Sequence, residues 1–366
     1  MQLSHSTAAL AAQIIGSYST SVLDVGARWG AGGAWWRIEP LATLIGFDPD
    51  AAECTRLNRQ SDPRRERYVP AALGRTAGPA TFYQTAEPAC SSLFKPDERL
   101  IGRYPSLNVI RVAQTGQLQL TTLDEWAAAE QPGEISFIKL DTQGSEADIL
   151  RGGEFALREC LGLEIEVHFS PLYRGAPLFA EVDTYLRAQG YVLWRLNELC
   201  HYTEISTRRT QTEDTTHYGD LAVTSPAGSG RLTWANAVYF KDFYDEHLVG
   251  DNPRRLLIMA SLLDALGDLD SAAGCLRQTL KCHADSISQE SRLLISARID
   301  ELTQENAPIR IDANISSPDV DDGAQSSSPS DGNLSHRAHS PFPRPHFGKL
   351  WHKLGRRRST RSGDLR

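Results

Sequence analysis

Between residues 21 and 245, short β-branched apolar runs alternate with helical patterns, and this alternation narrows the fold more than any other feature of the chain. Strand patterns fall at Ser21–Val25, Thr43–Phe47, Arg67–Leu73, Ile135–Leu140, Leu161–Phe169, Tyr191–Leu196 and Trp234–Phe240. Helical patterns fall at Ala31–Glu39, Ala51–Asn58, Glu146–Arg158 and Leu178–Gln189. Such a series builds an α/β fold, a mostly parallel sheet with helices on both faces. The apolar strand core Ser136-Phe137-Ile138 suits a sheet covered on both sides. A further hairpin is predicted at Pro79–Tyr83 and Leu118–Thr122. The loop between them, Thr85–Gly116, carries Pro88, Pro96 and Pro105 and has the length of a lid or substrate loop.

The flanks differ in texture. Residues 1–20 predict an N-terminal amphipathic helix without Lys or Arg, unlike a secretory signal. Residues 246–305 predict a helical hairpin similar to a single tetratricopeptide unit. Leu256, Leu257, Ala260, Leu263 and Leu266 precede a Gly267-Asp268 turn, and Ala272, Ala273, Leu276 and Leu280 follow it. One such unit cannot bury its own face, so it is expected to dock on the main domain or on a partner. Residues 306–366 predict a disordered tail, rich in Ser, Pro and Asp, with a basic amphipathic end. There Phe347, Leu350, Trp351 and Leu354 share one helical face among Lys349, Lys353 and Arg356–Arg358, a pattern suited to peripheral contact with a membrane through residues 346–366.

The net charge of −8 hides an asymmetry: residues 337–366 hold nine Lys or Arg against one acid, Asp364. An acidic body with a short basic tail is not the profile of a nucleic-acid binder. No apolar run approaches the roughly 20 residues of a membrane span. The six cysteines form no C-x-x-C pair, which points to free thiols in a reducing, cytoplasmic setting rather than to a zinc or disulfide framework.

Four segments carry chemistry. In Asp24-Val25-Gly26-Ala27-Arg28-Trp29-Gly30 a strand enters a glycine turn, and Gly26 and Gly30 let backbone approach a ligand. The dinucleotide fingerprint fails, because Trp35 stands at its third glycine position. Asp24 would repel a phosphate and suits a ligand with a cationic end. Asp48, in Phe47-Asp48-Pro49-Asp50, ends the second strand and is placed to accept from ribose hydroxyls, while Asp50 is assigned to capping the next helix. In Lys139-Leu140-Asp141-Thr142-Gln143-Gly144-Ser145-Glu146 a buried Lys needs a partner, with Asp141 and Glu146 nearest in sequence. In Glu164-Ile165-Glu166-Val167-His168, period-2 spacing sets Glu164, Glu166 and His168 on one strand face. His168 is a candidate general base.

Together these segments resemble the FkbM family of S-adenosylmethionine-dependent methyltransferases. The match is strongest at Lys139-Leu140-Asp141, Gly144, Glu146, Ile149-Leu150 and Gly152. Leu163–Glu166, Ser170–Tyr173, Thr122-Leu123-Asp124, Asp48-Pro49 with Asn58, and Ala72-Leu73-Gly74 extend it. Asp48 stands where Glu is more usual, and Asn236 where an Asp is common. The resemblance implies a class I methyltransferase (Rossmann-like) fold, with seven strands and the last one antiparallel. It implies S-adenosylmethionine as cofactor and methylation of a hydroxyl on a glycan, glycolipid or natural product. By the same resemblance Asp24, Gly26 and Gly30 line the methionine end of the cofactor, Asp48 holds the ribose, Ala72 and Leu73 lie near the adenine, and Asp141 lies beside the methyl group. Asp141, Glu166 and His168 all remain open as the group that takes the acceptor's proton. No spacing of ligands argues for a metal. The aromatics Trp29, Tyr173 and Tyr202 are candidates for a sugar-stacking surface. The alternative is a non-catalytic scaffold that recruits partners through the hairpin and tail.

Overall fold

A computed structural model describes residues 6–30, 37–202, 213–218, 221–226, 230–245 and 252–305. In chain order the elements are α1 (Thr7–Ile15), β1 (Thr20–Val25), β2 (Ala42–Phe47), α2 (Ala51–Asn58), β3 (Glu66–Val69), β4 (Ala72–Leu73), β5 (Gly78–Thr85), α3 (Glu98–Arg103), β6 (Val112–Thr121), α4 (Leu123–Glu130) and β7 (Ile135–Leu140). There follow α5 (Glu146–Arg151), α6 (Glu154–Glu159), β8 (Gly162–His168), α7 (Phe179–Ala188), β9 (Tyr191–Tyr202), β10 (Glu213–Tyr218), β11 (Leu221–Pro226), β12 (Arg231–Lys241), α8 (Pro253–Ala265), α9 (Leu269–His283) and α10 (Gln289–Glu305).

Seven strands form one sheet in the order β3-β2-β1-β7-β8-β12-β9. β1, β2, β3, β7 and β8 run parallel. β12 inserts antiparallel between β8 and β9. This is the class I methyltransferase arrangement. β4, β6 and β5 form a separate three-stranded sheet. The expected strand Arg67–Leu73 is therefore split, because Pro70 has no N–H to continue the ladder. The expected helix Glu146–Arg158 is also split. At Gly152 a Cβ would come 2.2 Å from the Gly74 carbonyl oxygen, and at Gly153 it would come 2.7 Å from Leu123. The expected helix Ala31–Glu39 falls largely on residues 31–36, outside the described residues, and so do residues 306–366.

Each face of the sheet has its own core. Leu23, Val25, Ile138, Leu140, Leu163, Ile165 and Val167 pack beneath α4–α7. On the opposite face Val22, Phe137, Leu161, Val238 and Phe240 pack beneath α1, α8, α9 and α10. The last three helices share a core with the sheet, within one compact unit spanning Met1–Asn306. They are three rather than the expected two. Ile295, Ile299 and Leu302 give α10 its inward stripe, with Ile295 and Leu302 fully buried. Polar links fix this layer. Asp264 accepts from the Thr7 amide at 2.9 Å and from Arg298 at 3.0 Å. Trp194 Nε1 donates to Asp268 at 2.6 Å. Arg255 reaches Glu134 and Glu159.

This second face changes character along the strands. Val22 is followed two residues later by Asp24, Phe137 by Lys139, and Gly162 by Glu164, Glu166 and His168. Along antiparallel β12, Val238 gives way to Asn236. The polar half lies at the carboxyl ends of the parallel strands. Over those ends lies a cap. Leu100, Ile101, Tyr104, Leu107, Val109 and Ile110, from the connection between β5 and β6, pack with Leu172, Tyr173, Cys200 and Tyr202. The expected open loop at Thr85–Gly116 is thus shorter, because β5 and β6 reach further into it, and it carries its own apolar cluster.

Candidate active site

The turn after β1 is built around a close approach. Gly26 has φ +93°, and a Cβ there would lie 2.0 Å from the Asp141 carbonyl oxygen. The Asp141 amide donates to Val25 O at 2.9 Å. Two strand ends 115 residues apart thereby meet backbone to backbone. Gly30 has φ +95° and faces Leu57 and the Tyr68 hydroxyl.

Asp24 is 2% exposed, and Lys139 Nζ lies 3.3 Å from its Oδ1. The same ammonium lies 3.7 Å from Asp141 Oδ2. Burial works against the Lys139 charge, but Asp24, Asp141 and Glu164 outweigh it and hold the amine above its ordinary range. Burial raises the Asp24 carboxyl, against the pull of Lys139. The partners expected for Lys139 were Asp141 and Glu146, and only Asp141 is one of them. Glu146 instead closes its own turn, accepting from the Thr142 amide at 2.7 Å and the Gly144 amide at 2.9 Å. Burial pushes its carboxyl up to about 7.

Asp141, Glu166 and His168 do come together, through a residue that the sequence reading gave no role. Gln143 Nε2 donates to Asp141 Oδ1 at 2.9 Å and to Glu166 Oε2 at 3.0 Å. Glu166 Oε1 lies 2.8 Å from His168 Nε2. Burial, and then the Asp141 charge, raise the Glu166 carboxyl well above the carboxylate range. Burial lowers His168, so its ring is neutral near pH 7. The three differ in access. His168 and Glu166 are 2% and 8% exposed, whereas the Asp141 side chain is 35% exposed. Glu164 shares their strand face, and burial raises its carboxyl to about 7 against Lys139.

At the neighbouring strand end Asp48 is 4% exposed, and its Oδ1 accepts from the Asp50 amide at 2.7 Å. Asp50 caps α2 through Ala52 and Glu53. Arg28, a cation within the glycine turn, reaches Asp50 at 3.1 Å and Asp48 at 3.8 Å. Nothing adjacent to Arg28 in the sequence marks Asp48 and Asp50 as its partners. Leu73 is 3% exposed and belongs to the apolar core with Phe47 and Trp126, and Ala72 is half-buried beside it. Tyr173 and Tyr202 are buried within the cap cluster, so they offer no stacking surface, whereas Trp29 is partly exposed.

Acids at the ends of β1, β2 and β7, beside two left-handed glycines, fit a ligand that carries cationic groups and hydroxyl donors. They do not fit a pyrophosphate. Residues 12–193 match the model of the methyltransferase FkbM domain. Those residues belong to the FkbM methyltransferase family. S-adenosylmethionine is the cofactor of the FkbM domain, and the acids Asp24 and Asp48, with the turn glycines Gly26 and Gly30, have the chemistry that suits it. The domain is similar to the 2-O-methyltransferase NoeI of Sinorhizobium fredii (strain NBRC 101917 / NGR234), 25% identical over 171 residues, which are 44% of this chain and 69% of that protein. Among solved structures, the chain is similar to magnesium protoporphyrin IX methyltransferase (ChlM) from Synechocystis PCC 6803. Identity is 10% and the TM-score 0.29, over 64% of this chain and 76% of that one. TrmK of M. capricolum matches with 10% identity and a TM-score of 0.27, over 83% of this chain and 98% of that one. Among the described residues no helix is long and apolar enough to cross a membrane, and no three His, Cys, Asp or Glu are grouped to hold a metal.

Proposed function

We propose that the chain transfers a methyl group from S-adenosylmethionine to a hydroxyl of a glycan, glycolipid or natural product, with Asp141 taking the hydroxyl proton. The supporting observation is access. Of the three acid–base candidates only Asp141 has substantial exposure, while Glu166 and His168 lie behind it in the same hydrogen-bonded row. Bound S-adenosylmethionine supplies an electrophilic methyl group. The chain's own residues orient the acceptor oxygen and remove its proton. Lys139 lies by one oxygen of Asp141 and Gln143 donates to the other, which holds the carboxylate in one orientation. Proton removal of this kind contributes roughly 10²–10⁴-fold. The hydroxyl acceptor is also supported by the likeness to a 2-O-methyltransferase.

Calorimetry with S-adenosylhomocysteine tests the cofactor half of this reading. Micromolar binding, weakened by both Asp24→Ala and Asp48→Ala, is the expected result. A folded chain that does not bind would favour the scaffold alternative. For the chemical half, Asp141→Asn should keep that binding and lose about 100-fold or more in methyl transfer to a glycan acceptor. An unimpaired Asp141→Asn would remove Asp141 as the base. The membrane contact proposed for residues 346–366 is tested by flotation with anionic vesicles. A chain lacking those residues should bind less, and equal binding would end that part of the proposal.

A further inference from the structure

We propose that Gln143 is a positioning residue that ties the cap to the Asp141 carboxylate, a role that deepens the methyl-transfer reading and takes its consequence from it. The residue is held at both ends. Its backbone is left-handed, with φ +60°, an uncommon conformation for a residue that has a Cβ. Its carbonyl accepts from Ser92 Oγ at 2.7 Å. Ser92 is 1% exposed and is itself fixed in the cap. Its Oγ accepts from the Phe94 amide at 2.9 Å, and its backbone exchanges hydrogen bonds with Tyr83. The Gln143 side chain is equally committed. Its Oε1 lies 2.8 Å from the Tyr173 hydroxyl, and the two carboxyl groups at its other end set which end of the amide is nitrogen. That leaves both N–H groups of Nε2 for Asp141 and Glu166. One neutral donor thus holds two acids side by side. A carboxylate at this position has no proton to give either of them.

Ser92 touches neither acid, yet its bond sets where the Gln143 backbone sits and so where the amide points. Ordering of the cap over an acceptor would therefore be felt at Asp141 through one residue. The acid pair is faced by Asp24 from β1, Lys139 from β7 and Glu146 from α5. Glu164 and His168 face it from β8, Glu198 from β9, and Tyr173 and Cys90 from the cap side. Of these groups only Tyr173, whose hydroxyl meets Gln143 Oε1, loses a contact in a Gln143 variant, and none is touched by Ser92, which makes Ser92 the cleaner probe.

The test is a carboxyl-carbon NMR titration of the full chain labelled at Asp and Glu, with Asp141→Asn and Glu166→Gln used for assignment. Gln143→Met keeps the side-chain volume and removes the donors. It should raise the Glu166 midpoint by at least about half a pH unit, about threefold in proton affinity, because the donor that favours its carboxylate is gone. Ser92→Ala should shift it in the same direction by less. Midpoints that stay put in both variants, even with a lowered melting temperature, would overturn the proposal and leave Gln143 a structural residue. If Gln143→Met does not fold, Ser92→Ala decides alone, with a shift supporting the link and no shift refuting it. S-adenosylhomocysteine calorimetry on the wild-type chain, run beside the titration, separates the two ideas. Failure to bind would sink the methyl-transfer reading while the titration still judged Gln143.

Discussion

Gly26 shows how much one residue carries. It combines a left-handed backbone with the tightest packing of any turn glycine at the site, against the Asp141 main chain. Gly26→Ala should destabilise the chain by about 2–4 kcal/mol in chemical denaturation, through backbone strain and displacement of the β7 end. A near-neutral result would show that the strand ends have room to separate. Glu146 supplies a pH signature. Its carboxyl titrates near 7 in the folded chain, against an ordinary value of 4.5. Between those values the folded state binds more protons than the unfolded one, so this group's contribution to stability falls as pH rises from about 4.5 to 7. Glu146→Gln should remove that slope. Denaturation curves for variant and wild type that stay parallel across the window would contradict it. The glycines and acids of both strand ends were legible in the sequence, because turn conformation and charge at a strand end are local properties. The roles of Gln143 and Arg28 were not, because each depends on partners that adjacency in sequence does not reveal.

At the scale of elements, the informative feature is strands that are apolar at one end and charged at the other on the same face. Helices α1, α8, α9 and α10 take the apolar half, and the site takes the polar half. β7 is the clearest case. Phe137 packs into the helical layer, while Lys139, two residues on, binds Asp24. Leu263, fully buried in α8, tests the helical layer. Leu263→Ala should cost about 2–5 kcal/mol and leave a single unfolding transition, because these helices and the sheet share one core. Two separated transitions would mean that the helices form a module of their own. Element positions were read well where a periodic run was uninterrupted, as in β7 and α2. They were misread where a distant backbone intruded, as at Gly152 beside Gly74, or where Pro70 passed the chain from one sheet to another.

For the molecule as a whole, the unit spanning residues 1–306 takes in both the expected N-terminal helix and the C-terminal helices. A chain ending at residue 306 should keep the melting temperature and S-adenosylhomocysteine binding of the full chain. A chain ending at residue 245 should fail to fold, because it bares the Val22, Phe137 and Phe240 face. A stable, binding-competent 245-residue chain would show that the helical layer is dispensable. Local sequence is enough for the class of fold, the succession of strands and helices, and the placing of Asp24, Asp48 and Asp141 at strand ends. All of these follow from hydrophobic period and turn chemistry over a few residues. Tertiary structure alone decided that Lys139 pairs with Asp24 across 115 residues. It alone joined Asp141 to Glu166 through Gln143 and sealed Tyr173 and Tyr202 within the cap. The reason is physical. A buried charge or amide is satisfied by whatever group the sheet order sets beside it, and sheet order is a property of the assembled chain.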